Sequence, residues 1–313
     1  DHAEEIDEHH RGRDAIGHRG DIAAMAGGGA FGQSHIGDDA RQNGHGGTGH
    51  DAWHAVADVG CVQLMARSVQ DVADLTIAAR EIAEAALIPV LVGMDADQIA
   101  GAPQSLRLPD ATLVLGQPGD RIPCATPAQV LMFGSERRRV PLAHDLERPA
   151  LHGAAQGRDS WALGAAARQP YLHGPVAGLV AGVLADLTKR TGRSHGVLTT
   201  FGDPNAGVIV LAQGAAVEVA EGVSARLKEQ GTKVAVVGVC VLRPFPAKEL
   251  AARLGGRTVL VLERVAADLA ATPPLLREVG PHAGGRLVSL VAGAGGFPLR
   301  AADQLRFNRA LAA

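Results

Sequence analysis

Three histidines, His45, His50 and His54, fall four to five residues apart, with Asp51 and Asp58 among them. Imidazole and carboxylate groups at such spacing bind metals or move protons. Here they lie in a glycine-rich stretch (Gly44, Gly46, Gly47, Gly49) and not on one helical face, and the H-E-x-x-H arrangement is absent. The pattern reads as a loop shaping a substrate pocket, with His45 and His50 as candidate contacts. Further upstream, Gly27-Gly28-Gly29 follows a short Ile22–Met25 stretch, and His2, His9 and His10 precede it. A phosphate loop needs a strand before its glycines. Without one, this segment reads as a disordered or mistranslated leader, with a His2, His9 and His10 metal site as the other functional alternative.

Two further pairs stand where parallel strands should end. Gln213-Gly214 directly follows the aliphatic run Val208–Ala212 and opens a helical pattern. Free N–H groups at a helix start attract anions, but the G-x-G-x-x-G spacing of a dinucleotide site is missing. Glu263-Arg264 closes the run Thr258–Leu262. Ligands of open α/β sheets bind at such ends, so this pair is either a ligand or domain contact or a local ion pair. Neither a G-x-S-x-G elbow nor a G-x-x-x-x-G-K-[ST] loop occurs. Cys61, Cys124 and Cys240 are too far apart in sequence for a zinc or iron–sulfur ligand set.

The elements that must position these residues alternate in type. Val62–Met65 reads as a strand. Ser68 then caps a helix whose apolar face is Val72, Leu75, Ala79, Ile82 and Ala86, with Asp71, Asp74 and Glu84 placed largely opposite. Ile88–Val92 is the next strand. Residues 95 to 175 are punctuated by prolines, with one short helix over Pro127–Phe133 capped by Thr126. A helix over Val176–Thr191 ends at Gly192. Then come strand Val208–Ala212, helix Ala215–Gln230, strand Val234–Val239, a short helix from Pro246 to Leu254, strand Thr258–Leu262 and strand Arg286–Val291. Alternation of this kind predicts an α/β fold with two doubly wound parallel-sheet domains. The expected divisions are a leader (1–44), a first domain (45–135), a linker and helix (136–195), a second domain (196–300) and a tail (301–313).

The 313 residues are 46% apolar but only 3% aromatic, so the cores must be built from Ala, Val and Leu. The net charge of −3 carries no footprint for nucleic acid. Arg137-Arg138-Arg139 reads as a solvated loop. No membrane span and no signal peptide are expected, and with three cysteines a reducing cytoplasm fits.

Four stretches together resemble the pyruvate:ferredoxin (or flavodoxin) oxidoreductase family. They are Gly49 to Gly60 continuing through Val62–Asp74 to Val90–Val92; Gly153–Gln156 with Trp161, Gly164 and Gln169-Pro170-Tyr171; Val208–Gly214 leading to Leu242–Pro246; and Val259–Arg264 with Pro274–Val279. The first is similar to the later part of the family's pyrimidine-binding domain. The last two are similar to its second domain, which is transketolase C-terminal-like. The resemblance implies a part in thiamine-diphosphate-dependent oxidation of 2-oxoacids such as pyruvate. It also implies partner domains that carry Mg and Fe–S clusters, and ferredoxin or flavodoxin as indirect electron acceptor. Residues 1–44 do not resemble the family's preceding segment, which holds the glutamate that activates the pyrimidine. Arg41 stands where the family's substrate-carboxylate arginine is sought, at a different spacing from His45. The chain alone is therefore expected to bind no cofactor and to act only with thiamine-binding and Fe–S-bearing partners. The alternatives are a non-catalytic remnant or interaction module, and a nucleotide-binding protein using the Gly214 turn.

Overall fold

The computed structural model describes residues 22–23, 49–101, 103–110, 113, 120–139, 157–266, 272–293, 299 and 301. Arg41, His45 and the Gly27–Gly29 run lie outside the described residues.

The first unit is built on β2 (Val62–Met65), α2 (Val69–Ala86) and β3 (Val90–Gly93). The strands pair in parallel, Val62 opposite Val90 and Met65 opposite Gly93. The Ser68 side chain caps α2 by accepting the Asp71 N–H. The apolar face of α2 packs on the sheet and on α5 (Val176–Thr191), which contributes Val176, Val180, Leu184 and Leu187 to the same core. Its sequence groups this helix with the linker, but its apolar face belongs to the first core. Asp71, Asp74 and Glu84 are buried, not solvated as their helical positions suggest. Each meets an arginine: Asp74 takes two bonds from Arg193 at 2.6 and 2.7 Å, and Glu84 pairs with Arg80 and Arg139. The triple-arginine run is likewise not a solvated loop. Arg137 is buried and forms part of β5 (Glu136–Arg138), which pairs with β4 (Arg121–Pro123) beside α3 (Pro127–Phe133). α4 (Arg158–Arg168) precedes α5, and none of its residues is buried. The run Arg158–Thr191 is long and apolar enough to cross a membrane by length and composition, which the sequence reading did not expect. One face of α5 is nonetheless committed to the first core.

The second unit is a five-stranded sheet in the order β11-β10-β7-β8-β6. β7 (Val208–Ala212), β8 (Val234–Val239), β10 (Thr258–Glu263) and β11 (Leu287–Val291) run parallel, and β6 (Leu198–Gly202) is an antiparallel edge. Strand residues alternate between two cores. Val210, Ala212, Val236 and Leu260 face α6 (Ala216–Glu229). Ile209, Leu211, Val237 and Val261 face α7 (Ala247–Leu254) and α8 (Pro274–Val279). Helices on both faces make the sheet doubly wound. The chain runs from β7 outward to β8, then crosses back to β10 on the other side of β7. The order therefore reverses between β7 and β10.

The aliphatic run Val234–Leu242 is two strands. After Cys240 the chain leaves the second sheet, and β9 (Val241–Arg243) pairs antiparallel with β2 of the first. With the two-residue β1 (Ile22–Ala23) on β3, the first sheet reads β1-β3-β2-β9. The two units thus share a strand connection.

Candidate functional site

The reversal point between β7 and β10 is where ligands bind in open α/β sheets. Here it faces the first unit. Gln213 and Gly214 leave β7, Glu263 and Arg264 leave β10, and Asp95 leaves β3. His50 and α1 (Asp51–Ala55) lie against them.

Asp95 is the hub. One carboxylate oxygen receives His50 Nε2 at 3.0 Å and Arg264 Nη1; the other accepts the Ala215 N–H at 2.7 Å. The Asp95 and Arg264 side chains are fully buried. Burial pushes the Asp95 carboxyl upward, but His50, Arg264 and the Ala215 amide outweigh it and hold the group at about 2. Arg264 also reaches Gln98 Oε1 at 3.1 Å and the Gly293 carbonyl. The His50 N–H donates to the Arg264 carbonyl at 2.5 Å.

Gly214 has φ +60°, and a Cβ there would sit 2.3 Å from Asp95 Oδ2. Glycine is required on both counts. The turn is filled by the Asp95 carboxylate, to which the first amide of the helix start is already bonded.

Glu263 and Arg264 form no local ion pair with each other. Glu263 turns the opposite way and accepts the Leu275 and Leu276 N–H groups at 2.6 and 3.1 Å, which anchors the start of α8. Burial, partly offset by those two bonds, raises its carboxyl above the usual range.

Gln213 is buried, and its Oε1 accepts His54 Nε2–H at 3.1 Å, while its Nε2 meets no partner among the described residues. Burial first, then the charge of His50, lowers the His54 imidazole to about 3; the Gln213 bond opposes this, and Arg243 and Arg277 add to it. His54 is neutral at physiological pH.

Of the residues singled out in the sequence, His50, Gln213, Gly214, Glu263 and Arg264 therefore meet at one seam. Arg41 and His45 lie outside the described residues. Asp95 was not singled out, and no local pattern marks it. His54 was noted only as part of a histidine-rich loop.

Two family descriptions match the chain in succession. "Pyruvate flavodoxin/ferredoxin oxidoreductase, thiamine diP-bdg" covers residues 47–140, and "Pyruvate:ferredoxin oxidoreductase core domain II" covers residues 206–303. The chain belongs to the pyruvate:ferredoxin/flavodoxin oxidoreductase family. It is 27% identical over 233 residues to a probable pyruvate-flavodoxin oxidoreductase of Escherichia coli (strain K12), matching over 74% of this chain and 19% of that protein. A pyruvate:ferredoxin oxidoreductase of Moorella thermoacetica is 26% identical over 72% of this chain and 18% of its own length. The chain thus spans about a fifth of the length of these relatives. A 2-oxoglutarate:ferredoxin oxidoreductase structure from Magnetococcus marinus matches with TM-score 0.48 and 15% identity, over 81% of this chain and 42% of that one. In family terms the seam joins the thiamine-binding-type region, which supplies His50, His54 and Asp95, to core domain II, which supplies Gln213, Gly214, Glu263 and Arg264.

Proposed function

We propose that this chain is a component of a thiamine-diphosphate-dependent 2-oxoacid oxidoreductase of the pyruvate type. It contributes to oxidative decarboxylation only with partner domains that carry Fe–S clusters and pass electrons to ferredoxin or flavodoxin. The observation that supports this reading most is the pair of family matches in order along one chain, locked together by the buried His50–Asp95–Arg264 network.

The described residues do not by themselves fit thiamine diphosphate. Activation of its pyrimidine needs a carboxyl group free to face the ring, and its diphosphate needs a divalent cation held by oxygen ligands. The carboxylates that meet at the seam are engaged, Asp95 with Arg264 and His50, Glu263 with the α8 amides and Asp51 with the Ala266 amide. No group of three His, Cys, Asp or Glu able to hold a metal occurs among the described residues. In this reading partner domains complete the thiamine diphosphate site, and this chain supplies walls and an inter-domain joint.

The test is recovery of the tagged full chain from its own host cells, with thiamine diphosphate and iron measured in the eluate. Pyruvate-dependent reduction of a viologen dye is followed in the same sample. Thiamine diphosphate, iron and activity are expected to co-purify. A chain that elutes alone and carries none of them would overturn the proposal in favour of a non-catalytic module.

A further inference from the structure

The outer side of the first unit carries an apolar face that its own fold leaves uncovered. α4 buries none of its 11 residues, and a helix that short is marginal in water without packing. Right-handed helical backbone continues from α4 through Gln169–His173 into α5, giving a rod of 34 residues, about 50 Å along its contour. One face of α5 is committed to the first core, but Ala177, Gly178, Ala181, Gly182 and Ala185 on its other side are exposed. A Cβ at Gly178 or Gly182 would meet nothing within 4 Å. The other half of the rod exposes large groups, Trp161 at 57%, Leu163 at 74% and Tyr171 at 44%. Leu131 and Met132 of α3, which lies against the Gln169–His173 turn, are exposed as well. Apolar groups gathered in this way mark a contact surface.

We propose that this face binds a second copy of the chain, with the two rods packed antiparallel about a two-fold axis near Gly174. The halves of the rod are complementary under that rotation. Leu163 and Ala185 each stand eleven residues from Gly174, and Tyr171 and Ala177 each stand three. The large groups of one copy thus fall on the small-residue stretch of the other, and the symmetry repeats the contact. Short side chains there let the two helices approach closely. The charges agree. Asp159 and Lys189, both exposed, stand fifteen residues from Gly174 on opposite sides and meet across the axis. Arg158 falls beside the Asp186–Arg190 pair. Twenty-one of the 34 residues are exposed, and a stable interface uses roughly 20–30 residues a side. Asp159 and Asp186 on the same face disfavour burial in lipid. The inference does not depend on the oxidoreductase reading.

The test is sedimentation equilibrium of the full chain across a dilution series. A reversible monomer–dimer equilibrium is expected. Leu163→Glu, on a helix with no buried residue to disturb, is expected to give a monomer with an unchanged far-ultraviolet spectrum. Lys189→Glu sets like charges opposite each other at both ends of the interface and is expected to weaken the dimer about tenfold. The double variant Asp159→Lys with Lys189→Glu restores opposite charges and with them the affinity. Arg226→Gln, on the exposed face of α6, serves as control and leaves the dimer unchanged. A monomer at every concentration, a dimer untouched by Leu163→Glu, or a double variant no tighter than Lys189→Glu alone overturns the proposal. So does a monomeric chain that floats with vesicles of phosphatidylcholine and phosphatidylglycerol, which would make this a lipid-binding face.

Discussion

Asp95 and Arg264 stand 169 residues apart in sequence and meet through their charged ends in the interior, both side chains fully buried. One belongs to each matched region, so the pair is the main polar tie between the two units. Breaking a buried pair from one side leaves the other charge uncompensated and costs about 3–5 kcal/mol. Asp95→Asn is expected to lower the urea midpoint accordingly. The double change Asp95→Asn with Arg264→Met should recover part of the loss, since it leaves no orphaned charge. A double variant no better than the single one would show that Asp95 acts through His50 or Ala215 instead.

Glycine positions give a contrasting pair. Gly214→Ala forces a Cβ against Asp95 and Met65 at positive φ. It should destabilise by more than the ~1 kcal/mol of a left-handed alanine alone. Gly182→Ala lies within α5, where nothing stands within 4 Å of the added methyl. It should stabilise by about 0.5–1 kcal/mol through better helix propensity. Thermal or urea unfolding of the two variants checks both signs.

Acid should loosen the seam in two stages. His54 lies at about 3 when folded against an ordinary 6.5, so the unfolded chain takes up a proton that the folded chain refuses. Stability from its neutral state is complete above pH 6.5 and is lost as pH falls toward 3, at up to ~1.4 kcal/mol per pH unit. Asp95, at about 2 against 3.8, adds a further loss between those values. Unfolding free energy measured from pH 7 to 4 should fall less steeply in His54→Gln than in the unaltered chain. Equal slopes would mean that His54 is charged in the fold.

Much of this architecture was legible because local chemistry agreed with the final packing. Ser68 and Thr126 cap α2 and α3, and Gly192 closes α5, each where the sequence placed it. The doubly wound second sheet followed from aliphatic strands alternating with helices. What escaped was decided over long range. The strand Val234–Val239 is placed correctly, but nothing local marks Val241–Arg243 as a strand of the other sheet; the chain changes sheet at Cys240 because β2 offers an unpaired edge. β6 carries Thr199, Thr200 and an exposed Phe201, with none of the aliphatic run of a central strand. Asp74 looks solvent-facing by helical position and is buried only because Arg193 arrives from beyond α5. Asp95 has no local signature at all. Its meaning lies in Ala215 and Arg264, 120 and 169 residues away.

Thiol chemistry separates the three cysteines. The thiolate is the reactive form, and full burial pushes the Cys240 thiol up to about 12. Cys61 and Cys124 are partly exposed, and burial raises both more mildly. Maleimide at pH 7.5 should label two sites in the native chain, and the third only in denaturant. Rapid labelling of Cys240 would mean that the β8–β9 junction opens.

The shared strand makes the two units unequal on separation. All five strands of the second sheet fall within residues 198–291, and the described residues of both its cores within 198–299. The first sheet borrows β9, and its core borrows Leu184 and Leu187 from α5. A fragment of residues 196–301 should therefore unfold cooperatively on its own. A fragment of residues 45–180 loses the partner of β2 and half of the α5 face, which exposes an unpaired edge beside bare aliphatic surface. Such edges template aggregation. Size-exclusion chromatography should find the 45–180 fragment aggregated, and the chain extended to residue 301, which returns β9 and the rest of α5 together with the whole second sheet, monodisperse. If the 45–180 fragment proves monodisperse and cooperative, β9 merely decorates the first sheet, and the joint between the units rests on the polar contacts around Asp95, His50 and Arg264.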